Sequence, residues 1–234
     1  MLFLVIGILL LLSQAPALWA KHVLKKHSKP HSNLPGTGKQ LFTHLKRKFK
    51  LKDLKLEEIS SANSRNSISG DHFNPLTNTV YLSSQNFQGK SLTAVAVVTH
   101  EFSHALQFSE GSQLLVTRTQ MAQLAALLNK IVSVILVGAL IVSFIFPPIL
   151  IIAGIGWILS FLFSVLIHIV TLPVELDASY NRALPILEEG GYLQPQDLDK
   201  VKQILAACAY TYVAQALASF ITLLFIIFRR GRPF

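Results

Sequence analysis

Cysteine is nearly absent from this chain. Cys208 is the only one in 234 residues, so no disulfide can form within the chain and nothing marks an oxidising compartment. A lone thiol at the start of an apolar run also excludes a thiolate-rich structural metal site. Charge is scarce as well: Asp, Glu, Lys and Arg make up 14% of the residues, against 51% hydrophobic. That balance is too apolar for an ordinary soluble domain and too polar for a chain that is all membrane. Acids are scarcer than bases, 12 against 21, which leaves a net charge of +9. Most of the bases fall between Lys21 and Lys130, follow the edges of apolar runs and lack interleaved aromatics. This pattern speaks against a nucleic-acid partner and for a lipid bilayer with anionic headgroups. There is no internal repeat and no low-complexity tract.

What is present is a set of long apolar runs around one polar unit. The first run, residues 2 to 20, has no Lys or Arg ahead of it. An ordinary signal peptide would, although Ala15 and Ala17 form a small-residue cleavage pattern. Lys21, Lys25, Lys26 and Lys29 directly behind the run favour an uncleaved anchor with this end in the cytoplasm. Residues 1–20 are therefore read as a transmembrane anchor, and residues 21–36, with Pro30, Pro35 and Gly36, as a basic linker. Residues 37–130 read as a polar domain. Within it, Leu41, Phe42, Leu45 and Phe49 have the spacing of an amphipathic helix. Residues 54–60 and 79–83 ("TVYLS") read as short strands, and "GDHFNPLTN" between them as a turn. "SLTAVAVVTHEFSHALQFSEG" reads as a buried helix ending near Gly111.

Residues 131–170 hold two apolar runs split by Pro147 and Pro148, the pattern of a helical hairpin in a membrane. Residues 171–206 read as a helix opening at "TLPVEL", with Pro173 in its first turn, followed by a short amphipathic helix. Residues 207–228 are the last span and residues 229–234 a basic tail. With four spans both termini lie on one side. A cytoplasmic polar domain then leaves Arg229, Arg230 and Arg232 outside, and the larger basic count of residues 21–130 is expected to prevail.

The chemistry concentrates in "VVTHEFSHALQF", residues 97–108. On a helix, His100 and His104 lie about 40° apart on one face, so both imidazoles can reach one ion at about 2.0–2.1 Å. Glu101 lies one position round and can reach a water as general base without being a ligand. This is the HExxH arrangement. The plainer reading is a pair of core histidines with a buried ion pair. The all-apolar flank "AVAVVT" weighs against it, because three unpartnered titratable groups there would cost several kcal/mol. A catalytic zinc needs a third protein ligand and an open position. Glu175 is the best candidate. Asp177 shares with it the plain explanation that acids favour the first turn of a helix. His72, in a turn, and His168, near a span end, are weaker rivals.

"GDHFNPLTNTVYLS", "SLTAVAVVTHEFSHALQ" and "TLPVELDASYNRAL", in this order, resemble the YugP-like family of bacterial membrane proteins, the neutral zinc metallopeptidases. The resemblance covers nearly the whole chain. More distantly the chain is similar to membrane zincins of the HtpX and CAAX-protease type, gluzincin-like enzymes in which a membrane hairpin separates HExxH from a ligand glutamate. The resemblance implies one Zn2+ per chain held by His100, His104 and Glu175, with Glu101 as base. It also implies a bacterial inner (cell) membrane location. Ser103 stands where the family commonly has glycine. In the wider group an aspartate four residues after the ligand glutamate orients a ligand histidine. Here that position is Ser179, so Asp177 or another group must do this.

The expected fold is thus a mainly α membrane protein in which a zincin-like α+β catalytic unit, a small sheet plus the HExxH helix, is combined with about four transmembrane helices. The expected activity is zinc-dependent endopeptidase cleavage of a protein or peptide, with "TVYLS" as the edge strand that pairs with substrate. Arg182, His72 and Tyr180 are the candidates for stabilising the transition state. The alternative is a non-catalytic membrane scaffold or structural-metal protein, which four protein ligands rather than three would betray.

Overall fold

The computed structural model describes residues 2–31, 33–59 and 70–229, and their side chains apart from those of residues 2–13, 214, 215 and 222–229. Its elements are α1 (Leu2–Lys26), α2 (Gly38–Lys48), β1 (Lys55–Ile59), β2 (His72–Asn74), β3 (Thr79–Ser83), α3 (Ser84–Gln88), α4 (Leu92–Ser109), α5 (Gln113–Val142), α6 (Ile149–Leu176), a π-helical turn (Asp177–Ala183), α7 (Leu184–Glu189) and α8 (Pro195–Arg229). The molecule is mainly helical with one small mixed sheet.

Local chemistry explains the element ends in the polar part. Thr37 opens α2 with a capping box: its hydroxyl accepts the Gln40 N–H, and Gln40 Oε1 accepts the Thr37 N–H at 2.8 Å. Phe42 and Leu45 then point into the core, with Leu41 and Phe49 packed at its margin. The Ser91 hydroxyl caps α4 by accepting the Ala94 N–H at 3.0 Å. The helix stops at Glu110, where Gly111 takes φ +70° and the Ser112 N–H returns to the Gln107 carbonyl. The turn after β2 is held by the Asn74 side chain, which accepts the Leu76 N–H, and by Asn78 at φ 49°.

The sheet order corrects one expectation. β3 is the central strand, parallel to β1 (Leu56↔Val80) and antiparallel to β2 (Phe73↔Val80). It is therefore not an edge available to a substrate. The physical reason is visible in the residues. Val80 and Leu82 are fully buried, whereas β1, "KLEEI", carries the charges that protect an edge. The stretch expected at 54–60 is β1, with residue 60 outside the described residues. Part of the expected turn "GDHFNPLTN" is strand β2.

Among the described residues three helices are long and apolar enough to cross a membrane: α5, the rod that begins with α6, and Pro195–Ile221 of α8. The expected span at 1–20 falls on α1, whose first side chains lie outside the described set, as do Arg230 and Arg232 of the tail. α5 and α6 form an antiparallel hairpin around Pro147 and Pro148, bridged between the helices by Ser160 Oγ donating to Asn129 Oδ1 at 2.7 Å. α1 packs along α8, with Ala20 and Val23 against Ile204 and Leu205. A second correction concerns Pro173. It lies inside α6 rather than in a first turn, so the membrane rod runs unbroken into the segment that carries Glu175. Proline costs an internal hydrogen bond there, and the helix widens into the π turn directly afterwards.

α4 is the hub of the polar core. Phe102 is completely buried, edge-on to Phe42 at 6.0 Å and tilted against Phe49 at 5.6 Å. Phe102→Ala is expected to destabilise the protein by about 3–5 kcal/mol. Denaturant titration of the detergent-solubilised chain would show this as a lowered midpoint. An unchanged midpoint would mean that α4 is not anchored through this ring.

Candidate metal centre

All side chains of α4 from Leu92 to Gln107 are buried, so its histidines must find partners inside the molecule. His100 and His104 share the face turned toward the end of α6, with ring centroids 4.8 Å apart. Glu175, 1% exposed, meets them there. Its Oε2 is 3.1 Å from His100 Nε2 and 3.3 Å from His104 Nε2. These three residues each offer a ligand atom, all within 4.8 Å of one another. Among the described residues this group has three members.

The outer hydrogen bonds decide what kind of partner the cluster wants. Gln107 Nε2 donates to the Val174 carbonyl at 3.0 Å and to Asp177 Oδ2 at 2.8 Å, which orients its amide. Its Oε1 can then only accept, so His104 Nδ1, 2.9 Å away, carries the proton. Ser179 Oγ donates its one proton to the Leu205 carbonyl at 3.2 Å and accepts from His100 Nδ1 at 3.1 Å. With both Nδ1 atoms donating outward, Nε2 is the nitrogen that each ring, as the Nδ1–H tautomer, turns toward Glu175 Oε2 with its lone pair. Three acceptors converge with no donor between them, an arrangement that a divalent cation satisfies. The donor set of two imidazoles and one carboxylate suits zinc.

Ser179 thus holds His100 at the position where an aspartate was expected. Asp177 acts one step removed, behind Gln107. Asp177 in turn accepts from Arg182 Nε at 2.7 Å and from Asn181 Nδ2 at 3.0 Å, and Arg182 Nη1 reaches Glu110 at 2.7 Å. Arg182 therefore ties the π turn to the end of α4, and neither it nor Tyr180 lines the central cavity. His168 lies on α6 outside that cavity. His72 does line it, but its Nδ1 is bonded to the Gly70 carbonyl at 2.8 Å and its ring stacks on Tyr81 at 5.0 Å.

Glu101 faces the same cavity, of about 330 Å³. Its Oε2 accepts the Phe73 N–H from β2 at 2.8 Å. Burial pushes its carboxyl up to about 8; His100 opposes this, Glu175 and Asp71 add to it, and the Phe73 N–H opposes it. Arg118, from the first turns of α5, lies 3.3 Å from Glu175 Oε1 and donates to the Tyr212 hydroxyl of α8 at 3.1 Å. Arg118, Tyr212 and Gln107 were not singled out from the sequence. Gln107 had a signal, since it sits three residues after His104 on one helix face. Tyr212 is a polar residue inside an apolar run, the usual flag for function in a span.

Residues 2–230 match the family model described as "Putative neutral zinc metallopeptidase". The chain belongs to this family. It is 31% identical over 220 residues, 92% of each chain, to the "Putative membrane protease YugP" of Bacillus subtilis (strain 168). No solved structure matches it. The family implies zinc as cofactor, and the cluster of two histidines and a glutamate is the group that could hold it.

If Gln107 fixes the His104 tautomer, Gln107→Ala is expected to weaken zinc binding by about 10–100-fold. Competition against a fluorescent zinc chelator measures this. Unaltered affinity would show that the Gln107 contact does not orient the ring.

Proposed function

We propose that the chain is a membrane-bound zinc-dependent endopeptidase, with His100, His104 and Glu175 holding the ion and Glu101 as general base. The observation that carries this reading is the convergence of two Nε2 lone pairs and one carboxylate oxygen beside a fourth group, Glu101, that shares their cavity. A bound zinc supplies Lewis-acid polarisation of the scissile carbonyl. The Phe73 N–H holds one oxygen of Glu101, so the carboxylate keeps one orientation. Glu101 accepts a proton from the attacking water as its oxygen bonds to the carbonyl carbon, then delivers that proton to the amine as the C–N bond breaks. Ser179 and Gln107 engage both Nδ1 atoms and keep the imidazoles aimed, and Arg118 balances the outer oxygen of Glu175.

The scaffold alternative predicts a closed site with four protein ligands. A group of three among the described residues leaves a position open for water and substrate, which favours catalysis. α5, α6 and α8 serve as membrane spans, and the lysines behind the apolar part of α1 support a catalytic side facing the cytoplasm of a bacterial cell.

Purified wild type is expected to carry about one zinc per chain and Glu175→Ala to be depleted. Equal zinc in both would move the third ligand elsewhere. Glu101→Gln is expected to keep the zinc and to lose about 10²–10⁴-fold in cleavage of an unfolded protein substrate. Cleavage at the wild-type rate would remove Glu101 as the base. Chelation should abolish the wild-type activity and added zinc restore it.

A further inference from the structure

The cavity over Glu101 does not end at the metal centre. A second chamber, of about 600 Å³, adjoins it across Leu24, Asp71, Val97 and Thr211, which line both. One wall is a single stripe of α1 and its end: Ala17, Ala20, Lys21, Leu24, Lys25 and Ser28 recur at the three- and four-residue spacing of one helix face. The opposite wall comes from α3 and α4. The chamber is preformed, because the end of α1 is pinned to α4. Thr93 Oγ1 donates to the Leu24 carbonyl at 2.8 Å and the Thr93 N–H to the His27 carbonyl at 3.3 Å.

The two spaces have opposite character. The metal cavity gathers the carboxylates of Asp71, Glu101 and Glu175, with Arg118 beside them. The outer chamber has Lys21 and Lys25, both exposed, and among the described residues no carboxylate is paired with either. Asp71, at the junction, is already committed: it accepts the Ser83 N–H at 2.6 Å, the Ser83 hydroxyl at 3.0 Å and Asn86 Nδ2 at 2.6 Å. Leu24 and Val97 supply the apolar part of the neck between the spaces, and the Thr211 hydroxyl there is satisfied by the Cys208 carbonyl.

We propose that this chamber is a substrate subsite: it receives the peptide chain on one side of the scissile bond and selects there for a carboxylate, met by Lys21 and Lys25. The proposal rests on the hydrolytic reading of the metal centre. A chain crossing the neck from Glu101 passes between Leu24 and Val97, beside the committed Asp71 and Thr211, and then finds two ammonium groups with no carboxylate partner among the described residues. Lipid headgroups could also meet these lysines. Their place on the wall of a chamber that opens onto the metal centre favours a peptide. The carboxylate can be an acidic side chain or a free chain end.

Binding can be read apart from turnover by fluorescence anisotropy of labelled peptides on the zinc-loaded full chain carrying Glu101→Gln, in detergent. Three peptides of one sequence serve as probes: internal Glu with an amidated end, internal Gln with an amidated end, and internal Gln with a free end. One or both carboxylate peptides are expected to bind about tenfold tighter than the neutral one, and which of them does so separates side chain from chain end. Adding Lys21→Ala and Lys25→Ala should erase the preference, with melting point and zinc content unchanged. Lys21→Glu with Lys25→Glu should invert it toward a Lys-bearing peptide. Equal affinity for all three peptides, or a preference indifferent to the lysines, overturns the proposal. So does lysine-dependent binding to phosphatidylglycerol vesicles with no peptide preference, which reassigns the lysines to headgroups. Lysine-dependent peptide binding with no cleavage by the wild type would instead sink the hydrolytic reading and leave the chamber as a peptide site.

Discussion

A buried carboxylate facing two imidazole lone pairs is the constraint around which this molecule is organised. Glu175 is 1% exposed and sits at the end of a long apolar rod, where an isolated ionised group would cost several kcal/mol or more. Nothing on α6 itself relieves that cost. Partial relief comes from α5, through Arg118 at 3.3 Å, while α4 brings His100 and His104 to the same carboxylate to complete a site for a cation. The two histidines are themselves unusable unless their outer nitrogens are engaged, which Ser179 and Gln107 accomplish. One unfavourable placement therefore recruits α4, α5, α6, the π turn and, through Leu205, α8. A cation in the middle would convert this set of mutually repelling acceptors into a stable one.

The shape of the α6 end follows from that need. Pro173 removes an N–H from the helix just before Glu175, and the turn that follows is π-helical from Asp177 to Ala183. Within that turn Asp177 faces Gln107 and Arg182, while Ser179 faces His100 and the Leu205 carbonyl. Two residues only two positions apart thus support two different histidines. The same turn is clamped to α4 by the Arg182–Glu110 pair, partly exposed and worth little alone. Its use is to close the chain Glu110–Arg182–Asp177–Gln107–His104, which begins and ends on one helix.

Much of this was legible in the residues, and what was not has identifiable causes. The HEFSH helix, its buried flank, the hairpin around Pro147 and Pro148 and the apolar face of α2 follow from spacing and punctuation alone. Glu175 emerged from its place on the far side of the membrane hairpin from HEFSH, although its setting was misread. Taking Pro173 as a first-turn residue made an ordinary dipole explanation available that the continuous rod removes. The position of β3 could not be read from its own residues, since a strand buried on one face and a central strand differ in neighbours rather than in sequence. The charges of "KLEEI" were the usable clue. Ser179 and Arg118 were out of reach because their partners lie 79 and 57 residues away in the chain and no periodicity links them.

The rods also set the height of the candidate metal centre. Arg118 lies 24 residues before the end of α5 at Val142, and Glu175 lies 26 residues after the start of α6 at Ile149. At about 1.5 Å per residue both stand about 36–39 Å from the hairpin turn. That turn exposes Phe144 and Ile145 almost fully, at 91% and 90%, so it belongs in or against the far side of a bilayer rather than out in water. A hydrocarbon core is about 30 Å thick. The cluster of His100, His104 and Glu175 is then just beyond that core, on the side of the polar domain. Water is available at this depth without crossing lipid. Leu24 and Tyr212, which line the cavity from α1 and α8, stand at the same level. Lys21 and Lys25 of α1, within a turn of Leu24, stand close to this level as well.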